Sequence, residues 1–393
     1  MTITGRAVAR ASFVALVGAN VLVLAKYGPR TGVPAQVLTA AYLGIVAFGA
    51  FVARRRFVSA SRWRSVLFWT IVALSAVVYL FVLDRIPPHS LRVDRWSAMT
   101  SFNERLLAGQ YPYEARTHLG SRVSGLPMLF ALALPFQWAG DVGYLQVFLL
   151  VVFAVVCQRQ WGRRYDLAWP LLLLVASPAY AWEVAARSDL TSNAVVAVLF
   201  VFLCEHWRGH KTPARMAGIG VLGGLVASTR LVLVVPMVVY FVGYFGPHDR
   251  KAAAVAAGVS LAAFAATLAP FVIWDARLFL ANNPLAWQIA LVPVTVQGAA
   301  VAASVAAGLS TGSLEAKCGA AGLIVVAATL ASFSISASTA GVERTLTGSL
   351  FDISYFDLAL PFLAVPLLFA YPVPEGRDAS APSAGVAPAG GGR

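Results

Sequence analysis

Apolar runs of about twenty residues recur along this chain, and no other feature restricts its fold as tightly. A helix rises about 1.5 Å per residue, so about 20 apolar residues cross a hydrocarbon layer of about 30 Å. Inside that layer every backbone N–H and C=O needs an internal partner, which leaves helices or closed barrels. The short alternating segments of a barrel are absent, so the expectation is helical. Segments 11–27, 33–53, 63–83, 143–158, 167–182, 190–206, 216–229, 231–245, 253–273, 288–308, 318–338 and 354–371 read as spans. A chain that is 59% hydrophobic and 12% charged lies far outside the soluble profile. The fold class expected is an all-α polytopic membrane protein of about twelve transmembrane helices. It forms a single domain over 1–374, with a disordered cytoplasmic tail, 375–393, rich in Gly, Ala, Pro and Ser. The first run has no clean small-residue cleavage site and is kept as a span.

The net charge of +13 raises the question of nucleic acid. Its distribution points elsewhere. Arg54, Arg55, Arg56, Arg62 and Arg64 flank one connection, Arg159, Arg163 and Arg164 a second, and Arg208, Lys211 and Arg215 a third. Placing the N-terminus in the cytoplasm puts all three inside. The inner side then carries 18 of the 30 Lys and Arg and 6 of the 17 acids, +12 against +1 outside. The basic excess reads as topology signal and contact with anionic lipid headgroups, with no nucleic-acid partner. The expected location is the plasma membrane, multi-pass, with both termini cytoplasmic. Cys157, Cys204 and Cys318 are widely spaced, an odd count without metal spacing, and read as small apolar fillers. No internal repeat is evident.

One stretch breaks the apolar pattern. From Arg85 to Gly125 the chain is polar, with six arginines, the acids Asp94, Glu104 and Glu114, and His89 and His118. The next apolar segment, 126–139, is too short to span and is expected to be a re-entrant or interfacial helix, so that 85–142 forms the first large outer loop. Three further polar patches fall on the same side: 182–189, 274–284 and 342–357. Acids and arginines recur together in each. Such groups near a bilayer are costly unless they pair or line a wet cavity, so a shared cavity and a ligand are expected.

Asp94 is the acid best placed to take a proton from an attacking hydroxyl; the alternatives are an ion pair with Arg92 or Arg95, or a helix cap. Arg187 can hold a phosphate in its fork, and Asp189 can orient an acceptor or assist the base. Glu183 and Arg187, four apart, also suit a helix-surface pair. Arg230, Arg277 and Arg344 each read either as phosphate ligands or as snorkelling interface residues. Tyr111 and Tyr113 are the aromatic residues best placed to stack on a sugar; the other Trp and Tyr near span ends read as an interface belt. No second His or Cys lies at metal spacing from His89 or His118, so no metal site is expected.

The insert and the segments after it resemble the GT-C superfamily of membrane glycosyltransferases, which use polyprenyl-phosphate sugars. The residues that carry the likeness are D-R-W at 94–96, L-L-A-G-Q-Y-P-Y at 106–113, G-L-P-M-L-F-A-L-A-L-P-F-Q-W-A-G at 125–140 and S-P-A-Y-A-W-E-V-A-A-R-S-D at 177–189. It extends over about 85–205 and looks closest to the bacterial polyprenyl-phosphate-mannose-type enzymes. Two departures stand out: Arg95 follows Asp94 where many members have a second acid, and two spans precede the one leading into the insert. The resemblance implies a GT-C-like bundle and an inverting sugar transfer at an outer-face site. Asp94 acts as base, Asp189 assists, and Arg95, Tyr111, Tyr113, Glu183, Arg187, Arg230, Arg277 and Arg344 bind substrate. It implies no cofactor and no metal; the lipid-linked sugar is co-substrate, its chain in a groove between spans, and the acceptor is a cell-envelope glycan or glycolipid. The rival readings are a transporter or flippase for a lipid-linked or anionic substrate, and a catalytically silent subunit of an envelope assembly.

Overall fold

In a computed structural model, residues 3–55, 61–208, 212–245, 249–290, 292–348 and 350–373 are described; the expected tail 375–393 lies outside them. The described chain is helical, without strands. Helices α1 (Ile3–Tyr27), α2 (Ala35–Arg55) and α3 (Ser61–Arg85) precede the insert. The insert holds α4 (Arg95–Leu107), and α5 (Pro127–Trp138) comes directly after it. Then come α6 (Tyr144–Trp161), α7 (Ala168–Val175), α8 (Pro178–Ala185), α9 (Leu190–His206), α10 (Pro213–Ala227), α11 (Val234–Phe245) and α12 (Arg250–Trp274). The chain continues with α13 (Ala276–Ala281), α14 (Pro284–Ala290), α15 (Val294–Ser310), α16 (Leu314–Ala340), α17 (Val342–Thr347) and α18 (Leu360–Leu368), the last led by a 3-10 segment, Ile353–Ala359.

All twelve expected spans carry helix, but not all of them are long enough to count as full spans. Among the described residues five helices are long and apolar enough to cross a membrane, or up to seven if each bent pair is one span. Ala35–Phe51, Leu190–His206, Pro213–Ala227, Leu231–Phe245 and Ile353–Leu368 are apolar but shorter. The reason is packing: α9 and α18 are buried along nearly their whole length against other helices and need not match lipid. Helices α3 and α12 are the opposite case. Most of their apolar surface faces outward, with Leu74, Val77, Leu261 and Ile273 exposed, as a lipid-facing element requires.

The break between α7 and α8, bent by 52°, is built in by sequence. Pro178 starts α8 and Ser177 caps it, its Oγ accepting from the Tyr180 amide at 3.2 Å. Asn20, wholly buried on α1, completes the break: its Oδ1 accepts from Ser177 Oγ at 2.6 Å and from the Ala179 amide at 2.9 Å. Tyr79 donates its hydroxyl to the Val175 carbonyl on the other side. A kink deep in apolar surroundings thus leaves few orphan backbone groups.

Helices α10 and α12 pack backbone to backbone. A Cβ at Gly224 would lie 2.3 Å from the Ser260 carbonyl oxygen, and one at Gly220 2.8 Å from that of Ala256. Gly220 and Gly224 are four apart on one helix face, the small-residue spacing that lets spans approach closely. Cys157, Cys204 and Cys318 are buried and unbridged.

The segment expected at 126–139 is the helix α5. It packs on α4, with Asn103 Nδ2 donating to the Phe130 carbonyl at 3.2 Å and to Gln137 Oε1 at 3.0 Å. Phe102, Tyr113, Phe130, Phe271 and Phe279 form a buried aromatic cluster beneath it. That cluster fixes the insert on α12 and α13.

Candidate functional site

Two of the four polar patches, the insert and 342–357, line one cleft of about 740 Å³, and Asp189 from a third lies beneath its rim, bonded to Arg230. Its polar rim comes from the insert (Asp94, Arg95, Thr117, Arg122), from Arg230 at the head of α11 and from Asp352 and Tyr355. The rest is a largely apolar groove between α11, α15 and α16, lined by Val234, Val235, Ala300, Val301, Val325 and Ala328. Gln288 joins the two parts: its Oε1 accepts from the Leu231 amide at 2.7 Å and its Nε2 donates to the Ser124 carbonyl at 2.6 Å.

At the floor of the rim lies an ionic cluster. Asp189, 1% exposed, receives a fork from Arg230, Nε at 2.6 Å and Nη2 at 2.8 Å. Asn193 Nδ2 donates to the same carboxylate at 2.7 Å, and Arg95 Nη1 stands 3.6 Å away. Arg95 Nη2 also donates to Asp352 Oδ2 at 2.5 Å and to Ser354 Oγ at 3.2 Å, and its guanidinium lies over the Tyr355 ring. Two guanidinium groups therefore bracket one buried carboxylate, and a second carboxylate at the rim completes the chain. Burial opposes ionisation of Asp189, and Arg230 and then Arg95 overcome it, keeping the carboxyl below the ordinary aspartate value. Burial likewise disfavours the Arg95 cation, yet Asp352, Tyr355, Asp189 and Glu183 together hold its pKa well above the ordinary arginine value.

Asp94 stands at the N-cap position of α4, but its side chain makes no cap hydrogen bond. Its Oδ2 instead accepts from Thr117 Oγ1 at 2.9 Å, and the residue lines the cleft. Among the described residues no ion pair joins Asp94 to Arg92 or Arg95. An acceptor carboxylate with one hydroxyl partner, facing a cleft, retains lone pairs for a proton.

Of the other residues singled out from sequence, Arg187 does not line the cleft. It sits 2% exposed in a left-handed conformation (φ 49°), and its donors go to Asp141 and to the carbonyls of Leu83, Ile86 and Ala185. It clamps the end of α3 to the α8–α9 connection and has no fork left for a phosphate. Glu183 is fully buried beneath Arg95 and lies off the cleft wall; its Oε2 accepts from the Thr191 amide at 3.2 Å. Tyr111 and Tyr113 are buried in the aromatic cluster, their hydroxyls donating to the carbonyls of Phe271 and Gly125. Both rings are enclosed and present no open face to a sugar. Arg277 and Arg344 are exposed and outside the cleft lining.

Asp94, Arg95, Asp189 and Arg230 are thus brought together; Arg187, Arg277, Arg344, Tyr111 and Tyr113 are not. Asp352, Thr117, Arg122 and Gln288 belong to the site and were not singled out from sequence. Asp352 had a signal, since it lies in a polar patch whose F-D-I-S-Y-F-D pattern sets two acids five apart. Thr117 and Gln288 had none, because an isolated polar residue in a loop or at a helix end is ordinary. Among the described residues no group of three His, Cys, Asp or Glu converges in a metal-binding arrangement. Comparison of the chain with protein-family models, with curated proteins and with solved structures finds no match.

Proposed function

We propose that the protein is a membrane glycosyltransferase that moves a sugar from a polyprenyl-phosphate donor to a cell-envelope glycan or glycolipid. The observation that carries this reading is the composition of the cleft. An apolar groove between α11, α15 and α16 runs into a rim bearing two carboxylates, Asp94 and Asp352, and three arginines. A prenyl chain suits the groove and a phosphosugar headgroup suits the rim.

In this reading Asp94 takes the proton from an acceptor hydroxyl as the oxygen attacks the anomeric carbon. The bond from that carbon to the phosphate oxygen breaks with inversion, and polyprenyl phosphate leaves. Its charge is met by Arg230 and Arg95, preorganised on Asp189, with Arg122 at the mouth. This assigns the phosphate to Arg95 and Arg230 in place of Arg187, whose donors are all committed. Asp189 is a positioning residue: it orients both guanidinium groups without reaching the cleft wall. The insert's resemblance to GT-C glycosyltransferases supports the same chemistry, and the basic residues flanking three connections, expected on the cytoplasmic side, support an outer-face site.

The test is incubation of purified protein with radiolabelled polyprenyl-phosphate sugars and a panel of acceptors. Covalent transfer that Asp94→Asn lowers by about 100-fold or more supports the reading, in line with the size of a general-base contribution. Wild-type rates in that variant would sink it. Movement of the lipid-linked sugar across proteoliposomes with no covalent product would establish the flippase instead.

A further inference from the structure

Beneath the ionic cluster, four carboxyl groups share two guanidinium groups. Arg230 neutralises Asp189, and Arg95 is divided between Asp352 and Asp189. Arg187, two residues from Asp189, is committed to Asp141. Glu183 and Asp357 are left over. Both are 0% exposed, and Glu183 is the charged group that bears most strongly on Asp357. Asp357 comes from the 3-10 segment before α18 and Glu183 from α8. Neither Asp357 Oδ1 nor Oδ2 has a hydrogen-bond partner among the described residues, and neither does Glu183 Oε1.

The groups facing the pair are few. Tyr180 on α8, Ser188 and Asp189 on the connection, and Thr191 at the head of α9 surround Glu183. Tyr27 on α1 and Asp352 face Asp357. Arg95 on α4 is the one cation near either among the described residues, and it already serves two other carboxylates. Two neighbouring buried carboxylates with three of their four oxygens unpartnered are not a stable arrangement: each pays desolvation, and each repels the other. A proton between them removes one charge and supplies the missing hydrogen bond.

We infer that Glu183 and Asp357 form a proton-binding site, a carboxylic acid bonded to a carboxylate, and that its occupancy controls how firmly Arg95, on the cleft rim, is held by its carboxylates. The proton comes from water and returns to it; no other bond changes. With the site empty, four carboxylates compete for Arg95. With it filled, the competing negative charge falls by one, and Arg95 is freer to meet an anion in the cleft. By linkage, anion binding draws in the proton and proton binding tightens the anion. The proton site depends only on the burial and pairing of these residues, so it stands or falls separately from sugar transfer.

Two measurements on the full chain in nanodiscs test it. Infrared difference spectra of the wild-type protein should show the carbonyl stretch of a buried protonated carboxyl that disappears on alkaline titration. Asp357→Asn should abolish the band, and Asp84→Asn, an exposed control, should leave it. Sulfate, whose charge is constant over the range, then serves as the anion probe. Its affinity for wild-type protein should fall with rising pH by up to tenfold per unit across the titration, one proton per anion, and Asp357→Asn and Glu183→Gln should each flatten that slope. A wild-type spectrum with no protonated band at any pH overturns the proposal without needing a variant to fold. So does a band unchanged in Asp357→Asn. A band that sodium, but not choline, displaces at constant pH would show a metal-cation site in its place.

Discussion

The sharpest consequence of the cluster concerns Asp189 and Arg230. At an effective dielectric of about 20, the fork of Arg230 on Asp189 corresponds to a bare attraction of about 6 kcal/mol, and Arg95 at 3.6 Å to about 5 kcal/mol. Desolvation consumes most of that, so the informative quantity is the cost of leaving one partner alone. Asp189→Leu strands a buried guanidinium whose two hydrogen bonds both end on Asp189, and should lower stability by about 3–5 kcal/mol. Arg230→Met should cost less, about 2–3 kcal/mol, because Asp189 keeps Asn193 and Arg95. The double variant replaces the pair by apolar groups of similar size and should lie within about 2 kcal/mol of wild type. Equilibrium unfolding in mixed dodecyl maltoside and dodecyl sulfate micelles, followed by tryptophan fluorescence, gives the four values. Losses that simply add in the double variant would refute the pairing and with it the placement of both arginines over the cleft.

Arg187→Lys keeps the charge but loses the fork on Asp141 and the reach to Leu83, Ile86 and Ala185; stability should fall by about 3 kcal/mol, while cleft binding of sulfate per folded molecule stays at the wild-type level. Gly224→Leu should destabilise by about 1–3 kcal/mol through collision with α12, while Gly218→Leu, whose added Cβ would meet nothing nearer than 4.0 Å, should be close to neutral in the same assay. Tyr113→Phe should change stability by under about 1 kcal/mol and leave transfer intact, since its hydroxyl makes one 3.5 Å contact and its ring is core; a large loss of transfer at full stability would restore it as a sugar platform. The folded-state pKa of Asp189 is depressed, so its contribution is complete above the unfolded value of about 3.9 and is lost as pH falls through the lower folded value. Thermal stability in detergent should therefore lose this contribution only below about pH 4, and a loss of it near neutral pH would contradict the assignment.

How much of this was legible in the sequence differs by element. The helical, membrane-embedded class follows from the apolar runs alone, and α5 was legible as a short apolar segment after a polar insert. The number of full spans was not. Hydropathy cannot separate α9, shielded on all sides by protein, from α12, exposed to lipid, because both are uniformly apolar. The GxxxG spacing of Gly220 and Gly224 was present in the sequence, but its partner α12 is known only from packing. At the site, Asp94, Asp189, Arg95 and Arg230 were legible because charge in an apolar setting demands a reason. Arg187 satisfied the same rule and had a different reason: it holds carbonyls at the end of α3, which a one-dimensional reading of W-E-V-A-A-R-S-D does not display. Tyr113 is enclosed by Phe102, Phe271 and Phe279 from three separate segments, and Tyr111 packs edge-on against Trp274, a burial no local pattern encodes.

The most direct test of the central claim compares wild-type protein with Asp94→Asn for release of polyprenyl phosphate in step with formation of a glycosylated acceptor. Stoichiometric release and product in the wild type, with both lost together in the variant and sulfate affinity retained, is the result expected. Equal turnover in the two proteins, or donor that crosses the bilayer intact in both, would contradict a transferase centred on this cleft.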